Sequence, residues 1–121
     1  MTPPPRLLFL ARRPPYGTGL AREALDAVLA ASAFELPVTV IFDGDGVWQL
    51  VRDQDPTGIE EKCHGAQLEA LPLFDVEDLR VHAPSLAARG LTAADLLLDA
   101  TPIDDAGLRE AIAQADRILS F

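Results

Sequence analysis

Five residues, Val38-Thr39-Val40-Ile41-Phe42, run directly into Asp43-Gly44-Asp45-Gly46. β-Branched and aromatic residues at this density predict a strand buried on both faces. The acidic glycine turn ends that strand, because no regular ladder continues through such a run. Val47-Trp48-Gln49-Leu50 is apolar again and holds the only Trp. A strand buried on both faces implies a parallel sheet covered above and below. In such sheets ligands and partners meet the chain where strands end. The centre of both fold and function is expected at this junction.

The flanking sequence supplies the remaining layers. Arg6 to Ala11 is an apolar run of strand length between prolines. Arg12 to Gly19 reads as a loop, with Thr18 able to cap the helix that follows. Between Leu20 and Ala33 the apolar positions Leu20, Ala21, Ala24, Leu25, Val28 and Leu29 lie on one helical face. Strand, helix, strand predicts a parallel crossover. A second helix is predicted over Ile59 to Leu71, weakened by Gly65 and stopped by Pro72. Leu79 to Ala83 reads as a strand and Pro84 to Gly90 as a short helix. Leu96 to Ala100 is the expected fourth strand, broken by Thr101-Pro102. A last helix is capped by Asp104 or Asp105, with Leu108, Ala111, Ile112 and Ala115 on one face. Arg117 to Phe121 is the final strand. The expected fold is α/β: one domain over residues 1–121, a mostly parallel sheet of about five strands with helices on both faces, flavodoxin-like in shape.

Composition narrows the function classes. A chain of 121 residues, 49% hydrophobic, can bury a core without disulfide or metal. Its one Cys excludes an internal disulfide and a multi-Cys metal site. The net charge of -9 opposes direct binding to a phosphate backbone and favours basic or neutral partners. No apolar run approaches the roughly 20 residues of a membrane span. The opening segment lacks a signal-peptide pattern. The expectation is a cytoplasmic protein that contacts neither membrane nor nucleic acid directly.

Each candidate site has two readings. Tyr16-Gly17-Thr18-Gly19 lies where a doubly wound fold places a phosphate loop, but neither the Walker spacing nor GxGxxG is present, and a tight turn with a helix cap accounts for it. Asp43 and Asp45 could face a hard cation, but the full calcium-loop pattern is absent and an acidic turn looks the same. No metal or cofactor is expected. Cys63 and His64 are adjacent on a helix, hence on different faces, and make a poor thiolate–imidazole pair. Cys63 reads as a small buried hydrophobe. His82 closes a strand just before a helix start. That is a chemically useful place for an imidazole, and also an ordinary one for a hydrogen-bonded histidine.

Four segments in order carry a resemblance: Pro15-Tyr16-Gly17-Thr18 with Arg22 to Ala27, Phe42 to Leu50, Ser85 to Leu91, and Ala115 to Phe121. Together they resemble the TusC/DsrF subunits of the DsrE/DsrF-like sulfur-relay proteins. The resemblance implies a heterohexamer with TusB-like and TusD-like subunits, two copies of each. That complex carries persulfide sulfur to a downstream carrier, toward 2-thiolation of the tRNA wobble uridine. DsrF-like relatives serve in sulfur oxidation. In the TusD/DsrE-like subunit the persulfide cysteine lies at a strand end before a short helix ending in Arg-Gly. Counted back from Arg89-Gly90, that place holds His82, and Cys63 does not match it. The resemblance therefore implies a subunit without catalytic residues of its own, with Tyr16, Asp43, Asp45, Trp48 and His82 as possible interface. Two further readings stay open: a stand-alone small-molecule or nucleotide-binding protein, and a sulfur carrier acting through Cys63.

Overall fold

The computed structural model describes residues 4–14, 20–51 and 59–121, with residues 59–63 described by backbone alone. Five strands form one sheet: β1 (Leu7–Ala11), β2 (Val38–Phe42), β3 (Asp78–His82), β4 (Thr101–Ile103) and β5 (Arg117–Ser120). Their order is β4-β3-β2-β1-β5, and every pairing is parallel. The helices are α1 (Leu20–Ala33), α2 (Ile59–Glu69), α3 (Ala83–Ala88) and α4 (Asp105–Gln114). No helix among the described residues is long and apolar enough to cross a membrane.

The strand order dictates where the helices lie. From β1 to β4 each step moves to the next strand on the same side. Crossovers of one hand then place the intervening helices on one face. Leu25 and Val28 of α1, Leu68 of α2 and Leu86 of α3 accordingly share a core with Phe9, Val40, Phe42, Leu79 and Val81. The return from β4 to β5 runs back across the sheet, so the same hand puts α4 on the other face. There Ala111, with Leu108 and Ile112 beside it, packs on Leu8, Leu10 and Ile41. Alternate residues of β1 and β2 thus enter different cores, which is why both strands read as continuous apolar runs. The sheet matches the expected architecture, with helices on both faces.

One local expectation is corrected. The fourth strand is Thr101–Ile103, not Leu96 to Ala100. Leu96 makes an isolated antiparallel bridge with Val51, and the Leu97 N–H donates to the Leu50 carbonyl at 2.7 Å. The apolar run Leu96 to Ala100 buries Leu96 and Ala100 in the main core instead of pairing along the sheet. β4 is a sheet edge, where Pro102 can sit because an edge strand leaves one row of N–H groups unpaired. The segment after the central strand, to which the sequence assigns only a turn and then apolar residues, takes a definite form. Gly44–Leu50 is a seven-residue 3₁₀ helix. Its period of three puts Val47 and Leu50 on one side, and both are fully buried.

Two glycines permit that helix, for different reasons. Gly44 has φ +54, in the left-handed region. Gly46 lies so close to β1 that a Cβ on it would stand 1.7 Å from the Ala11 carbonyl oxygen. The Asp43 N–H donates to that same oxygen at 3.1 Å. Gly46→Ala must therefore push backbone from backbone. A loss at or above the upper end of the roughly 1–3 kcal/mol range for overpacking is expected in urea unfolding. Gly44→Ala meets nothing within 4 Å and should cost only the backbone penalty, about 1–2 kcal/mol. Equal losses at the two positions would contradict the close approach at Gly46.

Candidate functional site

Because all strands run the same way, their carboxyl ends gather on one edge of the sheet. Arg12 leaves β1 there, Asp43 leaves β2, His82 ends β3, and Asp105 opens α4 after β4. The segments bearing them are far apart in sequence and adjacent in space.

His82 is the hub. Its Nδ1 lies 2.6 Å from the Ser85 Oγ, and its Nε2 lies 2.7 Å from the Asp105 Oδ1. The Ser85 hydroxyl also accepts the Gly44 N–H at 2.9 Å. One arrangement gives every donor an acceptor. Ser85 donates to Nδ1, and the Nε2–H donates to the Asp105 carboxylate. The imidazole is mostly covered, at 13% exposure, and Ser85 is buried. Serine, histidine and aspartate in this order are the residue types of a nucleophilic triad. Here, however, the buried hydroxyl spends its hydrogen bonds joining the first turn of α3 to the start of the 3₁₀ helix. The geometry is that of a brace between β3, α3, α4 and the acidic turn.

Two arginines complete the edge. The Arg12 Nε lies 3.3 Å from Asp43, whose side chain is nearly buried. Arg89, just past α3, donates to the Ser85 carbonyl at 3.0 Å and to Asp45 at 3.0 Å. Both turn carboxylates are thus paired with guanidinium groups. Among the described residues no group of three or more His, Cys, Asp or Glu side chains could hold a metal ion. Trp48 is half-buried. Tyr16 and the Gly17–Gly19 turn lie outside the described residues.

His64, whose neighbour is Cys63, is buried. The Gln49 amide donates to the Arg13 carbonyl at 2.7 Å, which leaves its oxygen to accept the His64 Nε2–H at 2.9 Å. That pattern suits a neutral imidazole. Burial first, then the charge of Arg22, holds its pKa below the ordinary 6.5, with Asp26 opposing. The side chain of Cys63 lies outside the described atoms.

Sequence reasoning singled out His82, Asp43 and Asp45 but not Ser85, Arg89 or Asp105 as their partners. Ser85 was within reach, three residues after a histidine at a helix start. The Asp105 contact spans 23 residues and the Arg89–Asp45 contact 44. These depend on strand order, which no local pattern supplies.

Comparison with known proteins adds to this geometry. The model of the DsrE/DsrF-like family matches residues 6–121. A Protein TusC homolog of Vibrio parahaemolyticus is 44% identical, covering 96% of this chain and 98% of its own. A Protein TusC homolog of Pseudomonas aeruginosa is 42% identical, covering 95% and 97%. Protein TusC of Escherichia coli is 39% identical, covering 96% and 98%. The crystal structure of the ychN protein from E. coli superposes with a TM-score of 0.80 at 22% identity, over 97% of this chain and 99% of that one.

Two outcomes test the edge. Ser85→Ala strips the Gly44 N–H and the His82 ring of a partner, so urea unfolding should show a loss of about 1–3 kcal/mol. A loss below about 0.5 kcal/mol would mean that the brace carries no weight. The second outcome concerns pH. His64 protonates near 6.5 in the unfolded chain and lower in the folded one. Its contribution is therefore whole above pH 6.5 and is lost as pH falls from there through the lowered folded value. Stability should decline over that window by up to about 1.4 kcal/mol per pH unit. The decline should be shallower in His64→Gln, and parallel curves for the two proteins would remove His64 as its source.

Proposed function

Because the chain belongs to the DsrE/DsrF-like family, we propose that it is a TusC-like, non-catalytic subunit of a sulfur-relay complex. One observation carries this reading. Similarity to proteins named TusC runs over 96% of this chain and 98% of the relative, so the two match as whole units. In this reading the chain assembles in the cytoplasm, as a single domain over residues 1–121, with TusB-like and TusD-like subunits, two copies of each. The complex passes persulfide sulfur to a downstream carrier, toward 2-thiolation of the tRNA wobble uridine. The TusC names of the relatives favour this branch over the DsrF-like one in sulfur oxidation.

The chemistry at the strand-end edge supports a supporting role. Persulfide transfer needs an accessible thiolate. The place that would hold the sulfur-bearing cysteine in the TusD-like subunit is occupied here by His82. A histidine carries no sulfur, and both ring nitrogens of His82 are already engaged. The chain shapes and holds the edge next to a partner's cysteine instead of reacting there. Asp45 is exposed and Trp48 half-buried, so both have surface to offer a neighbour, as do the exposed Arg12 and Asp105.

Co-expression with TusB-like and TusD-like chains from the same source tests the proposal. Light scattering should give a complex with equal copies of all three. Thiol-trapping mass spectrometry should find persulfide on the TusD-like cysteine, unchanged in Cys63→Ser. A chain that never co-purifies would overturn the subunit reading. Loss of sulfur loading in Cys63→Ser would move the carrier role onto this chain.

A further inference from the structure

The opposite edge of the sheet, where the strands begin, carries an apolar surface that the strand-end site does not use. Phe34 is 79% exposed, Leu73 85% and Phe74 55%. Phe34 follows α1, just before β2, and Leu73 and Phe74 lie in a 3₁₀ helix (Leu71–Phe74) before β3. The two segments are joined by a hydrogen bond from the Ser32 hydroxyl to the Phe74 carbonyl. Leu71, the first residue of the second segment, and Val76, just past its end, are fully buried, so the turn is anchored while its tip stands in solvent. Three large apolar side chains held outward on two anchored segments exceed the scattered singles of an ordinary surface.

The charge in the two segments that carry them is of one sign. Glu35, Glu69, Asp75 and Glu77 are exposed, and neither residues 31–36 nor residues 69–77 contain a Lys or Arg. Asp75 and Glu77 also line a cleft of about 470 Å³ that extends along the strand starts. Arg80, in the same cleft, is paired with Asp78 at 2.9 and 3.0 Å; with Arg6 also lining it, Asp75, Glu77 and Asp78 still outnumber the two arginines.

We propose that Phe34, Leu73 and Phe74 form a docking surface for a different protein chain, one that covers them with an apolar socket rimmed by Lys or Arg. The rim selects this occupant. A second copy of the chain would bring the same carboxylates face to face, and an anionic bilayer or nucleic acid is repelled by them. A basic-rimmed socket buries the aromatic anchors and neutralises the rim together. The inference rests on the subunit reading and adds the edge through which one neighbour binds, remote from His82.

The test uses the full chain co-expressed with the TusB-like and TusD-like chains. Compared with wild type, Phe34→Glu/Phe74→Glu should weaken capture of one partner by about tenfold or more. All altered side chains are exposed, so thermal melting should be unchanged. Glu35→Lys/Asp75→Lys, which keeps the apolar tip, should also weaken capture, and wild-type assembly should loosen as salt rises from about 0.1 to 1 M. Normal assembly of both variants overturns the docking surface and leaves the subunit reading standing. Failure of wild type to bind either partner overturns both. Self-association of the isolated chain that the variants abolish, or binding to phosphatidylglycerol vesicles that they abolish, assigns the patch to another occupant and overturns the inference.

Discussion

The approach of the Gly46 backbone to the Ala11 carbonyl is the contact on which the strand-end edge depends. A side chain at that position would hold the segment after β2 away from β1. Without one, the 3₁₀ helix lies across the strand ends and delivers Val47 and Leu50 into the main core. Burying two such side chains is worth several kcal/mol, which offsets the poorer hydrogen bonding of a 3₁₀ helix this long. The same placement brings the Gly44 N–H to Ser85 and Asp45 to Arg89. One missing Cβ thus precedes the polar brace, and the brace in turn fixes His82.

The polar groups of this edge are satisfied by one another. Its hydroxyl is buried, its imidazole is held from both sides, and its carboxylates are matched by guanidinium groups. A nucleophilic triad also bonds its imidazole on both sides but leaves its hydroxyl open to substrate, whereas Ser85 is buried. A satisfied network of this kind positions backbone and presents a shape. That agrees with a chain whose proposed contribution is to hold a neighbour's thiol rather than to supply one.

Much of this was legible in the sequence because burial on both faces leaves a local signature. β1 and β2 announce themselves by unbroken apolar runs, and α1 and α4 by spacing of three and four; β5 is a largely exposed edge strand whose only apolar residues are Ile118 and Leu119. The misplacement of β4 has a physical cause. Leu96 to Ala100 is apolar because it caps the core under the 3₁₀ helix, whereas the true strand is a short exposed edge containing Pro102. Apolar content reports burial, not pairing, and here the two were separated. Val47 to Leu50 reads only as apolar, since an apolar pair three apart does not by itself name a 3₁₀ helix. At the site, His82 was visible from its place at a strand end. Asp105 was not, because it reaches His82 only through the pairing of β4 beside β3, with Ile103 opposite His82.

The two edges of the sheet differ in what they leave unsatisfied. At the strand ends the polar groups close on one another. At the strand starts three large apolar groups stay in water inside an acidic rim. Exposed aromatic surface lowers solubility and is not required by the fold, because Leu71 and Val76 already anchor the segment. Net charge of -9 offsets that liability for the chain alone, and the same charge directs association toward partners of opposite sign. A chain meant to work alone gains nothing from either feature. A chain meant to sit between others needs a rigid edge that does not react and a second edge that is complete only when covered.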